Sequence, residues 1–207
     1  MDTEKTIRAL EHNHYRVTYF ATAEEATAYL DREINGKTVG FGDSQTMISM
    51  RLFERLSTHN TVHDPAQSKS LEEFFEISKR ALTTEVYLTS VNALSETGEM
   101  VNIDGGGNRL AGSLFGHERV FFVAGVNKIA PDLPAAIERA RHHAGPLNAK
   151  KYELSTPCVQ YGNKVGRYEK CFDCDHPDRI CNAMVIYMKK MEEVDAEVVL
   201  INESLGY

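Results

Sequence analysis

TSVNALSETGEMVNIDGGGNRLAGSLFGHERVFFVAGVNK, residues 89–128, is the stretch that decides the fold of this chain. One apolar run, residues 86–88, precedes it, and a second, residues 120–125, lies near its end. Both runs are rich in the β-branched and aromatic residues that buried strands prefer. Because ligands of open α/β sheets bind just outside the carboxyl ends of the strands, we expect a binding site where these runs end. Four polar residues follow the runs: Ser90, Asn92, Asn127 and Lys128.

Strand and helix patterns alternate along the rest of the chain. Residues 22–34 repeat apolar side chains at helical spacing, with Thr22 as the expected N-cap and Gly36 as the expected C-cap. Residues 38–42 predict a strand that runs into a glycine turn. Such alternation predicts an α/β fold with a mostly parallel sheet covered by helices on both faces. Further expected helices are 3–14, 45–56, 70–82 and 131–144, and further expected strands are 15–20, 61–63, 100–103, 184–188 and 197–202.

Composition limits the class of protein. The chain has 207 residues, enough for one domain with a sizeable core, and its hydrophobic fraction of 42% is that of a globular protein. A net charge of −7 argues against a general nucleic-acid or anionic-membrane binder. No apolar run approaches the roughly 18 residues of a spanning helix, and the N-terminus lacks a signal-peptide pattern. We therefore expect a cytoplasmic protein with no nucleic-acid and no membrane partner.

A glycine turn after the strand at residues 38–42 is the first feature that could bind a ligand. Its sequence, GFGDSQT, places Gly42, Ser44 and Thr46 at the expected start of a helix, where backbone N–H groups and hydroxyls can bind an anion. The alternative is a tight turn in which Ser44 only caps the helix. The third glycine of a dinucleotide fingerprint is missing.

A cluster after the first apolar run offers carboxylate and amide groups. Glu96 follows Ser90 and Asn92 in a turn, where a carboxylate can act as a base, a nucleophile or a hydrogen-bond acceptor. The alternative is a turn carboxylate that pairs with backbone amides or with Arg109, and an asparagine that stabilises its own turn.

The DGGGNR segment, residues 104–109, adds further candidates. Asp104 could accept hydrogen bonds from a hydroxylated substrate, and Arg109 could hold a carboxylate or phosphate through two N–H groups. The alternative is a hairpin turn followed by a helix capped by Asn108. Lys128 could neutralise a bound anion or could lie on the solvated surface.

The four cysteines of the chain lie in a segment, residues 146–183, that shows no regular pattern. Cys171 and Cys174 form a C-x-x-C pair, and Cys158 and Cys181 flank it. Without an export signal they are expected to be thiols or metal ligands, and the set suits zinc or an iron–sulfur cluster. The alternatives are four reduced thiols or a redox-active pair at Cys171 and Cys174. His176 is a possible substitute ligand.

These motifs together resemble the LUD-domain family of lactate-utilisation proteins. The resemblance is carried by GFGDSQT, TSVNALSETGEMVNIDGGGNR, VAGVNKIAPDLPAAIERAR, the TPC at residues 156–158, CFDCDHPDRIC and VVLINESLGY. It covers most of the chain from about residue 36 onward. It is a resemblance to stand-alone members and not to larger ones that carry a ferredoxin-like iron–sulfur region. It therefore implies a single LUD-type domain over residues 1–207.

The resemblance implies a three-layer α/β/α fold of the NagB/RpiA/CoA-transferase-like type. It also implies a role in oxidising lactate to pyruvate together with iron–sulfur companion proteins. Some CoA transferases of this fold use the glutamate of an S-E-N-G turn as acyl acceptor, and Ser95-Glu96-Thr97-Gly98 is similar. Thr97 stands where those enzymes have asparagine, which argues against covalent CoA chemistry here.

Three hypotheses follow from the sequence. The first is a component of lactate oxidation that binds a small anionic substrate and works with iron–sulfur partners. The second is a stand-alone enzyme acting on a sugar phosphate or CoA ester through a carboxylate base, and the third is a non-catalytic docking subunit. A homo-oligomer is left open. The expected catalytic residues are Glu96, Asp104 and Asn92, and the expected anion-binding residues are Gly42, Ser44, Thr46, Ser90, Asn108, Arg109, Asn127 and Lys128.

Overall fold

The computed structural model describes residues 1–207 and contains two β-sheets. The ten strands are β1 (Arg16–Phe20), β2 (Thr38–Phe41), β3 (Thr61–His63), β4 (Val86–Thr89), β5 (Ala93–Ser95), β6 (Met100–Asp104), β7 (Arg119–Gly125), β8 (Ile129–Ala130), β9 (Ala183–Tyr187) and β10 (Asp195–Ile201). The larger sheet has the order β1-β10-β7-β4-β2-β3, and all its neighbouring pairs are parallel. The smaller has the order β8-β5-β6-β9.

Helices fill most of the connections between the parallel strands. They are α1 (Thr3–His12), α2 (Ala23–Glu33), α3 (Gln45–Ser49), α4 (Leu52–Leu56), α5 (Leu71–Ala81), α6 (Asn108–Leu114), α7 (Leu133–Arg139), α8 (Gly145–Lys151) and α9 (Pro157–Val165). A π-helical turn, Ala140–Ala144, joins α7 to α8 without a break. No helix is long and apolar enough to cross a lipid bilayer.

Both faces of the six-stranded sheet are buried, as the nearly continuous apolar strands require. On one face, Leu30 of α2 and Leu52 of α4 belong to the same buried cluster as Phe41 and Phe121 of the sheet. On the other face, residues of α1, α5 and the smaller sheet pack around Tyr87 and Phe122. This arrangement confirms the predicted α/β class and the three-layer α/β/α architecture.

Strand register brings three loops together at one edge of the larger sheet. Leu88 of β4 lies opposite Phe41 of β2 on one side and Phe121 of β7 on the other. The carboxyl ends of these three adjacent strands therefore open on the same edge. The loop after β2 and the loop after β4 begin there side by side, and β7 continues into Val126–Lys128.

The smaller sheet is the main feature that the sequence pattern did not predict. Strand β6 pairs antiparallel with β5 and β9, and β8 pairs parallel with β5. Strands β5 and β8 have three and two residues, too few to show a period. The sheet packs against α7 through a small cluster that includes Ala93, Val101, Ala136 and Ala140.

Several expected helix bounds differ in the structure. The helix expected over residues 45–56 is two helices, because Arg51 has a φ of 54° in the left-handed region, which ends α3 and begins α4. Thr22 forms the expected cap together with Glu25, but the C-cap of α2 is Ile34 rather than Gly36. The segment expected to be irregular, residues 146–183, contains most of α8 and all of α9.

Candidate functional site

A cavity of about 300 Å³ opens at the carboxyl ends of β2, β4 and β7, and we call it the carboxyl-edge cavity. It combines residues from the loops after these strands with residues of α5, α8 and the chain's last turn. Its polar and charged lining residues include Asp43, Ser44, Ser90, Asn92, Asp104, Asn108, Arg109, Lys128, Lys151, Tyr152 and Tyr207. This position is where open α/β sheets place their ligands.

Lys128 is the most unusual residue of this cavity. Its side chain is almost completely buried, yet no carboxylate of the chain lies within ion-pair distance of its ammonium group. Lys128 Nζ instead donates to Ser90 Oγ at 2.9 Å, to Thr46 Oγ1 at 3.0 Å and to the Val91 carbonyl at 3.0 Å. Three neutral acceptors hold the nitrogen in place, but they do not compensate its charge.

Burial changes the protonation of this lysine. Loss of solvation, together with the positive charges of Arg139 and Arg109, lowers the pKa of Lys128 to about 7. Arg139 lies behind the site, where it donates to the backbone carbonyls of Asn92 and Asn127. An anion bound beside Lys128 would supply the missing counter-charge and would favour the ammonium form.

Ser90 and Asn92 are fixed by the hairpin that follows β4. The Asn92 backbone N–H donates to Asn102 Oδ1 at 2.9 Å, and Asn92 Oδ1 accepts from the Ile103 N–H at 2.7 Å. Asn102 Nδ2 in turn donates to the Ser90 carbonyl at 3.0 Å. These bonds satisfy the amide oxygen of Asn92 and leave its NH2 group free to donate to a ligand. Asn102, which sequence reasoning missed, is thus a positioning residue.

The DGGGNR segment forms a turn and the start of α6. Asp104 Oδ2 accepts from the backbone N–H groups of Arg109 at 3.0 Å and Leu110 at 3.3 Å, and it lies 4.0 Å from Arg109 Nε. Gly107, with a φ of 82°, occupies the N-cap position that was expected for Asn108. Asp104, Asn108 and Arg109 all line the cavity, so the structure brings these three candidates together.

The glycine turn after β2 contributes differently from the expectation. Ser44 lines the cavity and makes no capping hydrogen bond through its side chain, whereas Gly42 and Thr46 lie behind the wall. The neighbouring Asp43 was missed by sequence reasoning, although it stands inside the quoted GFGDSQT motif. Asp43 Oδ2 accepts from the Tyr152 hydroxyl at 2.6 Å. Burial and this carboxylate raise the pKa of Tyr152.

The chain's last residues close the site from the side of β10. Asn127 Oδ1 accepts from the Leu205 N–H at 3.1 Å, so Asn127 fastens this segment instead of lining the cavity. Thr46 Oγ1 lies 3.3 Å from the Leu205 carbonyl. A Cβ added to Gly206 would lie 2.6 Å from Thr46 Oγ1, which shows how tightly the segment packs. Tyr207 lines the cavity, and no sequence motif indicated that it would.

Glu96, an expected catalytic residue, does not line the carboxyl-edge cavity, so the structure does not bring it together with the other candidates. Its Oε1 accepts from the Asp2 backbone N–H at 2.8 Å, and its Oε2 forms an ion pair with Lys5 Nζ at 3.2 Å. These donors, the Asp2 N–H first, lower the pKa of Glu96. Glu96 lies in the turn between β5 and β6, and this turn contacts the start of α1.

The four cysteines are gathered around a second cavity of about 270 Å³, which we call the cysteine cavity. All four thiols are unpaired and half-buried. Burial, together with the neighbouring thiols of Cys171 and Cys158, raises the pKa of Cys181 to about 11. As the side chains stand, no three His, Cys, Asp or Glu residues converge closely enough to hold a single metal ion. His176 does not line this cavity.

The charges of the carboxyl-edge cavity define what it can bind. Asp104 lies beside Arg109, and Asp43 lies 3.7 Å from Lys151 Nζ, so these four charges form two pairs. Lys128 is the remaining charged side chain of the lining and has no partner. A small anion with one or two further hydrogen-bonding groups is the ligand that this arrangement suits.

The family model for the LUD domain matches residues 3–201. A crystal structure of a DUF162 family protein from Deinococcus radiodurans superposes with a TM-score of 0.53 at 13% identity, covering 96% of this chain and 94% of that chain. At this identity the likeness concerns the fold alone. A search of curated proteins gives no match.

Proposed function

This chain belongs to the LUD-domain family, and from that premise we propose that its carboxyl-edge cavity binds a small 2-hydroxy or 2-oxo carboxylate. The family is associated with lactate utilisation in general. The observation that carries the proposal is the buried ammonium of Lys128, which has three neutral hydrogen-bond acceptors and no carboxylate partner. A buried charge without a partner is costly, and a bound carboxylate would offset that cost.

The other lining groups fit the rest of such a substrate. Asn92 offers its NH2 group to a hydroxyl or carbonyl oxygen, and Asp104 offers a carboxylate that is held in place by the start of α6. A cavity of about 300 Å³ lies at the small end of ligand sites. Lactate and pyruvate have few atoms and one negative charge, which matches the single uncompensated cation.

In this proposal the protein acts as a component of lactate oxidation. Conversion of lactate to pyruvate releases two electrons and two protons. The electrons pass to iron–sulfur companion proteins, and the protons pass to water. Lys128 holds the substrate carboxylate, while Asn92 and Asp104 orient the carbon that carries the hydroxyl. The paired Asp43 and Lys151 shape the entrance and add no net charge.

Calorimetric titration tests the proposal. Pyruvate, lactate, inorganic phosphate and ribose 5-phosphate are titrated into the wild-type protein and into Lys128→Met, which keeps most of the side-chain volume without the charge. Lys79→Met, an exposed lysine on α5 that pairs with Glu76, is the charge-matched control. We expect pyruvate or lactate to bind the wild type and the control, and to bind Lys128→Met at least tenfold more weakly.

Two results would count against this assignment. Equal binding of pyruvate by the wild type and Lys128→Met would show that the lysine is not the carboxylate partner. Preferential binding of ribose 5-phosphate, lost in Lys128→Met, would instead favour the stand-alone enzyme on a phosphorylated substrate.

A further inference from the structure

The cysteine cavity collects every cysteine of the chain from three separate positions. Cys158 lies in the first turn of α9, Cys171 and Cys174 lie in the loop after it, and Cys181 precedes β9. The chain has no other cysteine that could compete for pairing. Four thiols converging on one cavity of about 270 Å³ form a set of soft ligands that packing alone does not require.

The backbone of the C-x-x-C turn, residues 171–174, places an N–H group beside a cysteine sulfur. Asp173 has a φ of 45°, a left-handed conformation that non-glycine residues seldom adopt, and its N–H donates to Cys171 Sγ at 3.3 Å. An N–H group directed at sulfur stabilises a thiolate and tunes a metal bound to it. Strained backbone of this kind is concentrated at binding sites.

Arg179 links the C-x-x-C turn to Cys181 by hydrogen bonds. Arg179 Nε donates to the Cys181 carbonyl at 3.0 Å, its Nη1 donates to the Cys174 carbonyl, and its Nη2 lies 3.2 Å from Asp173 Oδ1. Arg141 adds a second positive charge, with its Nη2 at 3.9 Å from Cys171 Sγ and 3.2 Å from Asp173. The two guanidinium groups outnumber the single carboxylate of the cavity lining, which favours negative charge inside it.

The number of thiols and the size of the cavity that they line distinguish the kinds of metal site. Four thiolates around one zinc ion have Zn–S distances of about 2.3 Å, so their sulfurs lie only about 3.8 Å apart. No three ligating side chains converge closely enough for a single ion. In a cubane cluster each thiolate binds a different iron, so the sulfurs lie further apart around a larger body. Apolar side chains, among them Ile103, Pro146 and Met184, line part of this volume.

We propose that Cys158, Cys171, Cys174 and Cys181 bind a 4Fe–4S cluster in the cysteine cavity. On binding, the four thiols lose four protons and their thiolates displace four small thiolates from a preassembled cluster core of charge 2+. The released small thiolates take up the protons, and the protein-bound cluster with its four cysteine thiolates carries a net charge of 2−. Arg141 and Arg179 offset this charge. The iron–sulfur bonds replace the S–H bonds, and no oxidant or reductant is consumed.

The cluster would lie directly beside the carboxyl-edge cavity. Ile103, Ile180 and Cys181 line both cavities, so one cluster ligand stands in the dividing wall. Asn182 fastens this wall to the end of β6 by hydrogen bonds to the carbonyls of Asp104, at 2.9 Å, and Gly105, at 3.1 Å. We expect a carboxylate bound in the carboxyl-edge cavity to change the spectrum of an occupied cluster. This expectation rests on the proposed function.

The test begins with the full chain, purified without oxygen and reconstituted with sulfide and equal amounts of ferrous and ferric iron, which together give a core of charge 2+. We expect about four irons and four acid-labile sulfides per chain, with a visible absorption that bleaches on reduction. The double variant Cys171→Ser/Cys174→Ser should lose both metal and colour, whereas His176→Ala should keep them. Zinc without iron and sulfide, or iron retained by the double variant, would overturn the proposal.

Thiol alkylation gives a readout that does not depend on the folding of a variant. All four cysteines of the wild type should be modified before reconstitution, none afterwards, and all four again when the iron is removed. Any one cysteine that reacts in the fully loaded protein would contradict four-cysteine ligation.

Electron paramagnetic resonance of the reduced protein then tests the shared wall. Pyruvate should alter the cluster spectrum of the wild type and leave that of Lys128→Met unchanged. An unaltered spectrum while calorimetry shows bound pyruvate would contradict the contact between the two cavities. If pyruvate does not bind at all, the proposed function fails, while the iron and sulfide content still decides the cluster.

Discussion

Lys128 Nζ donates to Ser90 Oγ at 2.9 Å, although the two residues follow different strands and lie 38 positions apart. The bond joins the loop after β4 to the turn after β7 at the carboxyl edge of the sheet. It holds an ammonium group inside the protein without a carboxylate partner. Much of what this cavity can bind follows from that arrangement.

The stability of the protein should depend on pH through Lys128. Its pKa is about 7 in the folded protein and about 10.4 in an unfolded chain. Between these values the unfolded lysine carries a proton that the folded one has lost, so stability rises with pH by up to about 1.4 kcal/mol per unit. Below pH 7 the full penalty of the buried charge remains.

Urea unfolding of the wild type and Lys128→Met between pH 6 and pH 9 isolates this contribution, because other titrating groups are common to both proteins. The wild type should gain stability relative to the variant as the pH rises above 7, and the difference should be flat below it. Parallel curves over the whole range would show that Lys128 does not titrate in this window.

The two hydroxyls around Lys128 should act together. Ser90→Ala and Thr46→Val each remove one acceptor of the same ammonium group, and each should cost about 1–3 kcal/mol in stability. Because both residues contact one nitrogen, the double variant should differ from the sum of the single variants by more than about 0.5 kcal/mol. Denaturant unfolding of the four proteins measures this coupling, and strict additivity would argue against a shared role.

Glu96→Gln should leave pyruvate binding unchanged, because Glu96 faces α1 and not the cavity. The variant should lose a little stability at neutral pH. Since the pKa of this carboxyl is lowered in the folded protein, its contribution is present above about pH 4.3 and is lost as the pH falls through the lower, folded value. Titration of pyruvate into the variant checks the first claim. A marked loss of pyruvate affinity would show that Glu96 contributes to the binding site.

Arg119→Met should be strongly destabilising at the opposite edge of the sheet. Arg119 Nη2 lies 2.6 Å from Glu197 Oε2, and the side chain of Glu197 is completely buried. Removing Arg119 leaves the buried Glu197 carboxylate with the more exposed Arg16, 3.5 Å away, as its remaining cation. The loss should approach the roughly 3–5 kcal/mol that breaking a buried ion pair costs. Arg55→Met breaks an exposed pair with Asp31 and should cost at most about 1 kcal/mol. Similar losses in the two variants would contradict the importance of burial.

The sequence allowed the parallel sheet and the place of the site to be predicted, because strong apolar runs mark β4 and β7 and polar residues follow each. It did not reveal the smaller sheet, since β5 and β8 are too short to show alternation. That sheet turns Glu96 away from the cavity. The contact of Asp43 with Tyr152, residues 109 positions apart, depends on tertiary packing that no local pattern records.

The most direct test of the account is nuclear magnetic resonance of the Lys128 side chain, with labelled lysine and with Lys128→Met to assign the signal. Titration of the free protein should give a pKa of about 7. Saturating pyruvate should raise this value by at least one unit, because the bound carboxylate favours the ammonium form. A Lys128 signal that titrates identically with and without pyruvate would contradict the claim that this lysine binds the substrate carboxylate.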